Sequence, residues 1–131
     1  TIPLSTIDRL ARQNATAMEI AAYLDRHPGV AKVRFPGLPA HADHNLARTM
    51  FGQRGFGAMI TFDLARNEED SSCFVDDLSP HIPHIGSLGD VATTFLHVKA
   101  CFGENYNSST IRLSVGIESP AHIITCLERA L

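Results

Sequence analysis

The 131-residue sequence has no tryptophan, only three cysteines and no apolar run approaching the ~20 residues that a membrane-spanning helix requires. It also has no secretory signal pattern. The cysteines Cys73, Cys101 and Cys126 form no CxxC pair, and their odd number favours a reduced, cytoplasmic protein over a disulfide framework. We therefore expect no membrane partner and no dependence on disulfide bonds.

Positive charge is also scarce, which limits both the partners that the chain could bind and the reactions that it could catalyse. The net charge is −3 and the basic residues are scattered, which excludes nucleic acid as a bulk electrostatic partner. The only lysines are Lys32 and Lys99, and neither occurs in a catalytic sequence pattern. No glycine-rich loop precedes a helix to bind phosphate, and no carboxylates pair as acid and base. The chain has groups that could recognise a substrate but lacks the groups for a reaction.

The length suits a single domain, which we place over residues 1–131. Hydrophobic periodicity and breaker residues predict helices over 6–25, 43–50 and 68–78 and from Pro120 onward, and strands over 30–35, 58–64, 82–85 and 110–115. Between 86 and 109 we expect a loop with one short strand or turn near Leu96 and Val98. This order favours a two-layer α/β sandwich with helices over one face of the sheet.

The stretch 111–118 contains the most informative residue, Arg112. Ile111, Leu113 and Val115 alternate with Arg112, which places the guanidinium on the opposite face of a half-buried strand. A planar, permanently charged fork suits a carboxylate held by two parallel hydrogen bonds. A solvated arginine on an open sheet face is the alternative.

Gly86-Ser87-Leu88-Gly89 could supply the rest of such a site. Two glycines allow successive backbone N–H groups to point into one concavity, and Ser87 adds a hydroxyl. A plain turn between strand and loop is the alternative. Together with Arg112, Ser87 would complete a clamp for a carboxylate.

Other candidate sites are weaker. The pairs His41/His44 and His81/His84 lack an obvious third ligand, so we expect surface or capping histidines and no metal. Cys101 lies four residues from His97 but has no orienting carboxylate, so we expect a semi-buried cysteine and not a nucleophile.

The landmarks of the chain, taken in order, resemble those of the Cys/Met-metabolism family of pyridoxal-phosphate (PLP) enzymes. This family includes cystathionine γ-synthase, the cystathionine lyases, methionine γ-lyase and the homoserine sulfhydrylases. The matching segments are Asn14-Ala15, Ile20-Ala21, His27-Pro28-Gly29-Val30 (HPxV), Phe35-Pro36-Gly37-Leu38, His44-Asn45-Leu46-Ala47 (HxLA), 55–62 (GxGxMxxF), Ser87-Leu88-Gly89 and the RLSVGIE signature at 112–118. They cover nearly the whole chain.

The resemblance implies the C-terminal domain of such an enzyme, with a small, mostly antiparallel sheet. In the family, a large preceding domain holds the PLP and the lysine that binds it, so no cofactor-binding residue is expected in this chain. The arginine of RLS and the serine of SLG hold the substrate α-carboxylate, roles that would fall on Arg112 and Ser87. The chain begins with Thr1 and not Met, as a piece of a longer protein would. The full-length enzyme is expected to be a homo-oligomer, and this piece alone inactive.

Two departures from the family pattern concern the substrate. His97-Val98-Lys99 stands where the family usually has HPA, and the connection to the signature strand is shorter than usual. Lyase, synthase and sulfhydrylase activities all remain open, on sulfur amino acids or activated homoserine. A non-catalytic module that binds a small carboxylate or a protein partner is the alternative. Apolar surface on the first helix and the open sheet face should be left uncovered or used for self-association.

Overall fold

The fold is described from a computed structural model covering residues 5–131, so residues 1–4 of the predicted domain lie outside the described residues. Five α-helices and four strands follow one another in this part of the chain. They are α1 (Thr6–Arg26), β1 (Val30–Arg34), α2 (His44–Phe51), β2 (Met59–Leu64), α3 (Glu68–Leu78), β3 (Thr94–His97), α4 (Val98–Phe102), β4 (Thr110–Ser114) and α5 (Pro120–Ala130), with a 3₁₀ turn at Gly52–Arg54.

Three of the helices begin at side chains that the sequence marks as caps. The Ser5 hydroxyl accepts a hydrogen bond from the Asp8 N–H, the Asn67 carbonyl oxygen from the Asp70 N–H, and the Ser119 hydroxyl from the His122 N–H. Each bond satisfies one of the backbone donors that a helix leaves free in its first turn. These bonds fix where α1, α3 and α5 begin.

The strands form one sheet in the order β1-β2-β4-β3, and every neighbouring pair is antiparallel. Helices α1, α3 and α5 lie over one face of the sheet, where α5 contacts both of the others, and they enclose the core. Phe62, Phe74 and Phe95 are buried and pack edge-to-face with centroid separations of 6.3 and 6.4 Å. Aromatic pairs of this geometry add to the stabilisation from burial. The predicted two-layer α/β sandwich with a mostly antiparallel sheet is confirmed.

The structure corrects the sequence prediction between residues 82 and 102. The predicted strand over 82–85 is a single bridge between His84 and Phe95, because the proline at 83 has no N–H to donate to a ladder. The sheet strand is β3, close to the short element expected near Leu96. Val98 begins the helix α4, which the sequence prediction missed.

The apolar stripe of α1 is covered over only part of its length. Ala17, Ile20 and Leu24 are buried, whereas Ile7 and Leu10 are exposed. In the first two turns Ile7 is 81% exposed, while Leu10 is partly covered and lines a pocket that it shares with Phe51 and Arg54. In the described residues, no helix is both long enough and apolar enough to cross a membrane.

Candidate functional site

Arg112 lies in the middle of β4 on the face of the sheet opposite the helices. Its backbone neighbours are Thr61 on β2 and Leu96 on β3, while the adjacent Ile111 and Leu113 are fully buried in the core. The alternation of the strand therefore directs the guanidinium away from the core, as the sequence predicted. No carboxylate of residues 5–131 lies within 4 Å of it.

A second arginine nearby is already paired. The guanidinium of Arg34 donates to both carboxylate oxygens of Asp63, at 3.0 and 2.6 Å, and the Thr110 hydroxyl donates to the same carboxylate at 2.7 Å. Partial burial alone would raise the pKa of Asp63, but the hydrogen bonds from Arg34 and Thr110 outweigh it and lower that pKa. Asp63 thus neutralises Arg34, while Arg112 keeps its charge available.

The segment 98–109 returns over this face and forms a wall beside Arg112. The guanidinium carbon lies 5.9 Å from the centroid of the Phe102 ring, and Tyr106 packs against Phe102 with centroids 6.0 Å apart. An arginine over an aromatic face at this distance is attracted by the ring quadrupole. Together these side chains enclose an open groove of about 520 Å³, lined by Arg34, Thr61, Val98, Phe102, Tyr106, Thr110 and Arg112.

Ser87 lies in the loop before β3 and is not among the residues that line this groove. A Cβ placed on the neighbouring Gly86 would be 4.0 Å from the side chain of Leu96, the cross-strand partner of Arg112. The Ser87 hydroxyl oxygen accepts from the N–H groups of Gly89 and Asp90, at 3.4 and 3.1 Å. These amides close a local turn and do not point free into a concavity, which corrects the predicted anion cradle. The hydroxyl hydrogen of Ser87 is still available to donate.

The histidines have structural partners. His41 accepts from the Asp43 N–H just before α2, and His84 accepts from the His97 N–H while stacking on Phe95. Burial, followed by the charge of His97, lowers the pKa of His84. Within residues 5–131, no three His, Cys, Asp or Glu side chains group as a metal site would require.

Cys101 is exposed and not semi-buried as we expected. Its candidate base, His97, is instead engaged through Nε2 with the Ser108 carbonyl, at 2.5 Å. No step of a nucleophilic mechanism can be built on this pair.

The lysines do not fit a PLP site formed by this chain alone. Lys99 donates to Glu68 at 2.8 Å and lies 3.4 Å from Glu104, and the hydrogen bond to Glu68 raises the pKa of its amine, which keeps it protonated and a poor nucleophile. Lys32 is exposed on the edge strand β1, and neither lysine lines the groove beside Arg112. We therefore derive no reaction step through PLP from these residues.

The fold is that of a domain found in a PLP-dependent enzyme. A solved structure from Campylobacter jejuni, described as a putative O-acetylhomoserine (thiol)-lyase carrying a pyridoxyl-lysine phosphate group, superimposes with a TM-score of 0.81 at 25% sequence identity. The match covers 93% of this chain and 28% of that one.

The model of the family Cys/Met metabolism PLP-dependent enzyme matches residues 4–131, and the chain belongs to that family. It is 34% identical to a canavanine gamma-lyase of Rhizobium leguminosarum, over 100% of this chain and 33% of the relative. It is also 32% identical to an O-succinylhomoserine sulfhydrylase of Pseudomonas aeruginosa, over 84% of this chain and 29% of the relative. The chain thus spans about a third of the length of these relatives, and the cofactor of its family is PLP.

Sequence reasoning predicted the face on which Arg112 lies but missed the aromatic wall. Phe102 and Tyr106 reach Arg112 only because 98–109 returns over the sheet, and no local pattern indicates that return. The missed ion pair of Arg34 and Asp63 had a weak signal, since both residues alternate outward from apolar neighbours on the strands β1 and β2.

Proposed function

We propose that this chain is the substrate-side domain of a PLP-dependent enzyme that acts on sulfur amino acids or activated homoserine. Arg112 and Ser87 bind the α-carboxylate of the substrate, and the PLP-binding domain lies outside these 131 residues. One observation carries the proposal: Arg112 presents an unpaired guanidinium to an open groove, although Asp63 neutralises the arginine beside it. The length of the relatives, about three times that of this chain, supports a further domain.

The chemistry of the groove fits a carboxylate. The guanidinium can donate two parallel hydrogen bonds to one carboxylate, and partial shielding by Phe102 and Val98 strengthens the attraction relative to open water. Ser87 can donate a third hydrogen bond, since its oxygen is already fixed by two backbone N–H groups. PLP, when bound, supplies the electron sink for the α-carbon. The role of this chain is to hold the substrate by its carboxylate so that the bond to be broken is correctly oriented.

Kinetics of variants of the longer protein test the proposal. Loss of a bidentate, charge-assisted contact should cost about 2–4 kcal/mol. Arg112→Ala should therefore lower kcat/KM for the amino-acid substrate about 30- to 1,000-fold. Arg112→Lys keeps the charge but loses the fork and should be only partly active.

Arg34→Lys is the matched control. It makes the same substitution in the same groove, but Arg34 already binds Asp63, so KM should change less than threefold or so. Equal effects of Arg112→Lys and Arg34→Lys would contradict the assignment. If the gene encodes no PLP-binding domain, the alternative of a non-catalytic carboxylate-binding module would replace the proposal.

The cellular setting is part of the same proposal. Three unpaired cysteines, two of them exposed, fit a reducing cytoplasm. The exposed Ile7 and Leu10 of α1 fit contact with another domain or subunit, as in a homo-oligomeric enzyme. Size-exclusion chromatography of the longer protein with light scattering would test the oligomer.

A further inference from the structure

Gln13 on α1 is a polar side chain that is fully buried. Its side-chain N–H₂ group donates to the carbonyl oxygens of Asp90, at 2.8 Å, and Val115, at 2.9 Å. A single amide therefore joins two segments that lie 77 and 102 residues away along the chain.

These two segments carry the proposed carboxylate-binding residues. Asp90 ends the loop of Ser87, and its N–H donates to the Ser87 hydroxyl oxygen, so Gln13 and Ser87 hold the same residue from its two sides. Val115 follows directly on β4, the strand of Arg112. Any movement of the Gln13 amide would therefore change the position of Ser87 relative to Arg112.

Further contacts fasten the same two segments, so the arrangement does not rest on one hydrogen bond. The Ile117 N–H donates to the Val91 carbonyl at 2.9 Å, and the Gly116 N–H donates to the Thr93 hydroxyl oxygen at 2.9 Å. Thr93 in turn donates to the carboxylate of Glu118 through its hydroxyl, at 2.9 Å. Of these contacts, the hydrogen bond from Gln13 reaches the residue nearest to Ser87 along the chain, Asp90.

We propose that Gln13 is a positioning residue of the carboxylate site, which sets the Ser87 hydroxyl relative to Arg112 by fixing the Ser87 loop on β4. The inference rests on the proposed function of Ser87 and Arg112. Gln13 does not line the groove beside Arg112, and acts through Asp90.

The test is a set of variants of the longer, PLP-loaded protein. Gln13→Met keeps the length of the side chain and removes both donors, so KM for the amino-acid substrate should rise about fivefold. The rate constant kcat should change less than about twofold, because Arg112 still holds and orients the bound substrate by its carboxylate. Ile20→Val, which trims the buried face of the same helix, should lower the melting temperature but leave KM unchanged.

A double-mutant cycle separates this inference from the proposed function. If Gln13 acts through Ser87, Gln13→Met should raise KM no further in a Ser87→Ala background. If Ser87→Ala and Arg112→Ala leave kcat/KM unchanged, the proposed function itself fails. Suppose instead that those two variants do lower kcat/KM. The role of Gln13 is then overturned if the KM effects of Gln13→Met and Ser87→Ala multiply in the double variant. It is also overturned if Gln13→Met, like Ile20→Val, lowers the melting temperature and leaves KM unchanged.

Gln13→Glu covers the case in which Gln13→Met does not fold. A protonated glutamate can donate one of the two hydrogen bonds, whereas the carboxylate can donate neither. KM of Gln13→Glu should therefore approach that of the parent protein at low pH and rise as the pH increases. If the ratio of the KM of Gln13→Glu to the KM of the parent protein does not change with pH, the proposal is overturned.

Discussion

Replacement of Asp63 by asparagine tests the polar network that binds Arg34. The Asp63 carboxylate accepts two hydrogen bonds from Arg34 and one from Thr110, and so joins β1, β2 and β4. Asparagine keeps the shape but loses the charge and one acceptor oxygen. Hydrogen bonds to charged groups contribute about 1.5–3 kcal/mol. The Arg34 side chain is 42% exposed, so solvent screening reduces the expected loss to about 1–2 kcal/mol.

The assay is thermal unfolding of the 131-residue chain followed by circular dichroism. A loss of about 1–2 kcal/mol corresponds to a fall in Tm of about 4–8 °C at this chain length. The pKa of Asp63 is lowered in the folded state, so its stabilisation is complete above the unfolded pKa of about 4. It is lost as the pH falls through the folded pKa. The difference in Tm between parent and variant should therefore be full at pH 7 and shrink towards pH 3.

Asp43→Asn is the matched control. Asp43 precedes α2 but makes no side-chain capping bond, so its Tm should stay within about 2 °C of the parent. Equal Tm values for Asp63→Asn and Asp43→Asn at pH 7 would refute the reasoning. So would a Tm difference for Asp63→Asn that persists unchanged at pH 3.

Three further predictions concern the wall, the histidine and the loop contact. Phe102→Leu should weaken substrate binding by Arg112 about two- to fivefold in KM, whereas Phe51→Leu, at a half-exposed phenylalanine outside the groove, should not. Burial, and then the charge of His97, lower the pKa of His84 in the folded protein. As the pH falls below about 6.5, His84 is therefore protonated more readily in the unfolded chain than in the folded one. Stability measured by urea unfolding should then fall towards pH 5.5, and less steeply in His84→Gln. Gly116→Ala would place a Cβ in a clash with the Val91 carbonyl oxygen and should cost more than about 2 kcal/mol, whereas Gly86→Ala, whose Cβ would be 4.0 Å from its nearest neighbour, should cost little.

The elements predicted well are those whose signals are local. Asn67 and Ser119 mark helix starts by capping, and the alternation around Phe62 and Leu113 marks the central strands β2 and β4. The same alternation predicted that Arg112 faces away from the core. These features depend on side chains within a few residues of each other, which the sequence displays directly.

The features that could not be predicted depend on distant parts of the chain. Gln13 is buried because Asp90 and Val115 meet α1, and the helical spacing of 13, 17, 20 and 24 was its only sequence signal. Whether the backbone N–H groups after Ser87 are free to bind an anion or already hydrogen-bonded within the loop depends on how that loop folds. Phe102 contacts Arg112 only after the whole segment 98–109 has folded over the sheet.

The most direct test of the central claim compares an amino-acid substrate with its carboxamide in the longer enzyme. The carboxamide has the same shape but no carboxylate charge for Arg112 to bind. The parent protein should prefer the acid over the amide about 30- to 1,000-fold in kcat/KM, and Arg112→Ala should lose most of that preference. If Arg112→Ala still discriminates between acid and amide as strongly as the parent does, Arg112 does not bind the substrate carboxylate.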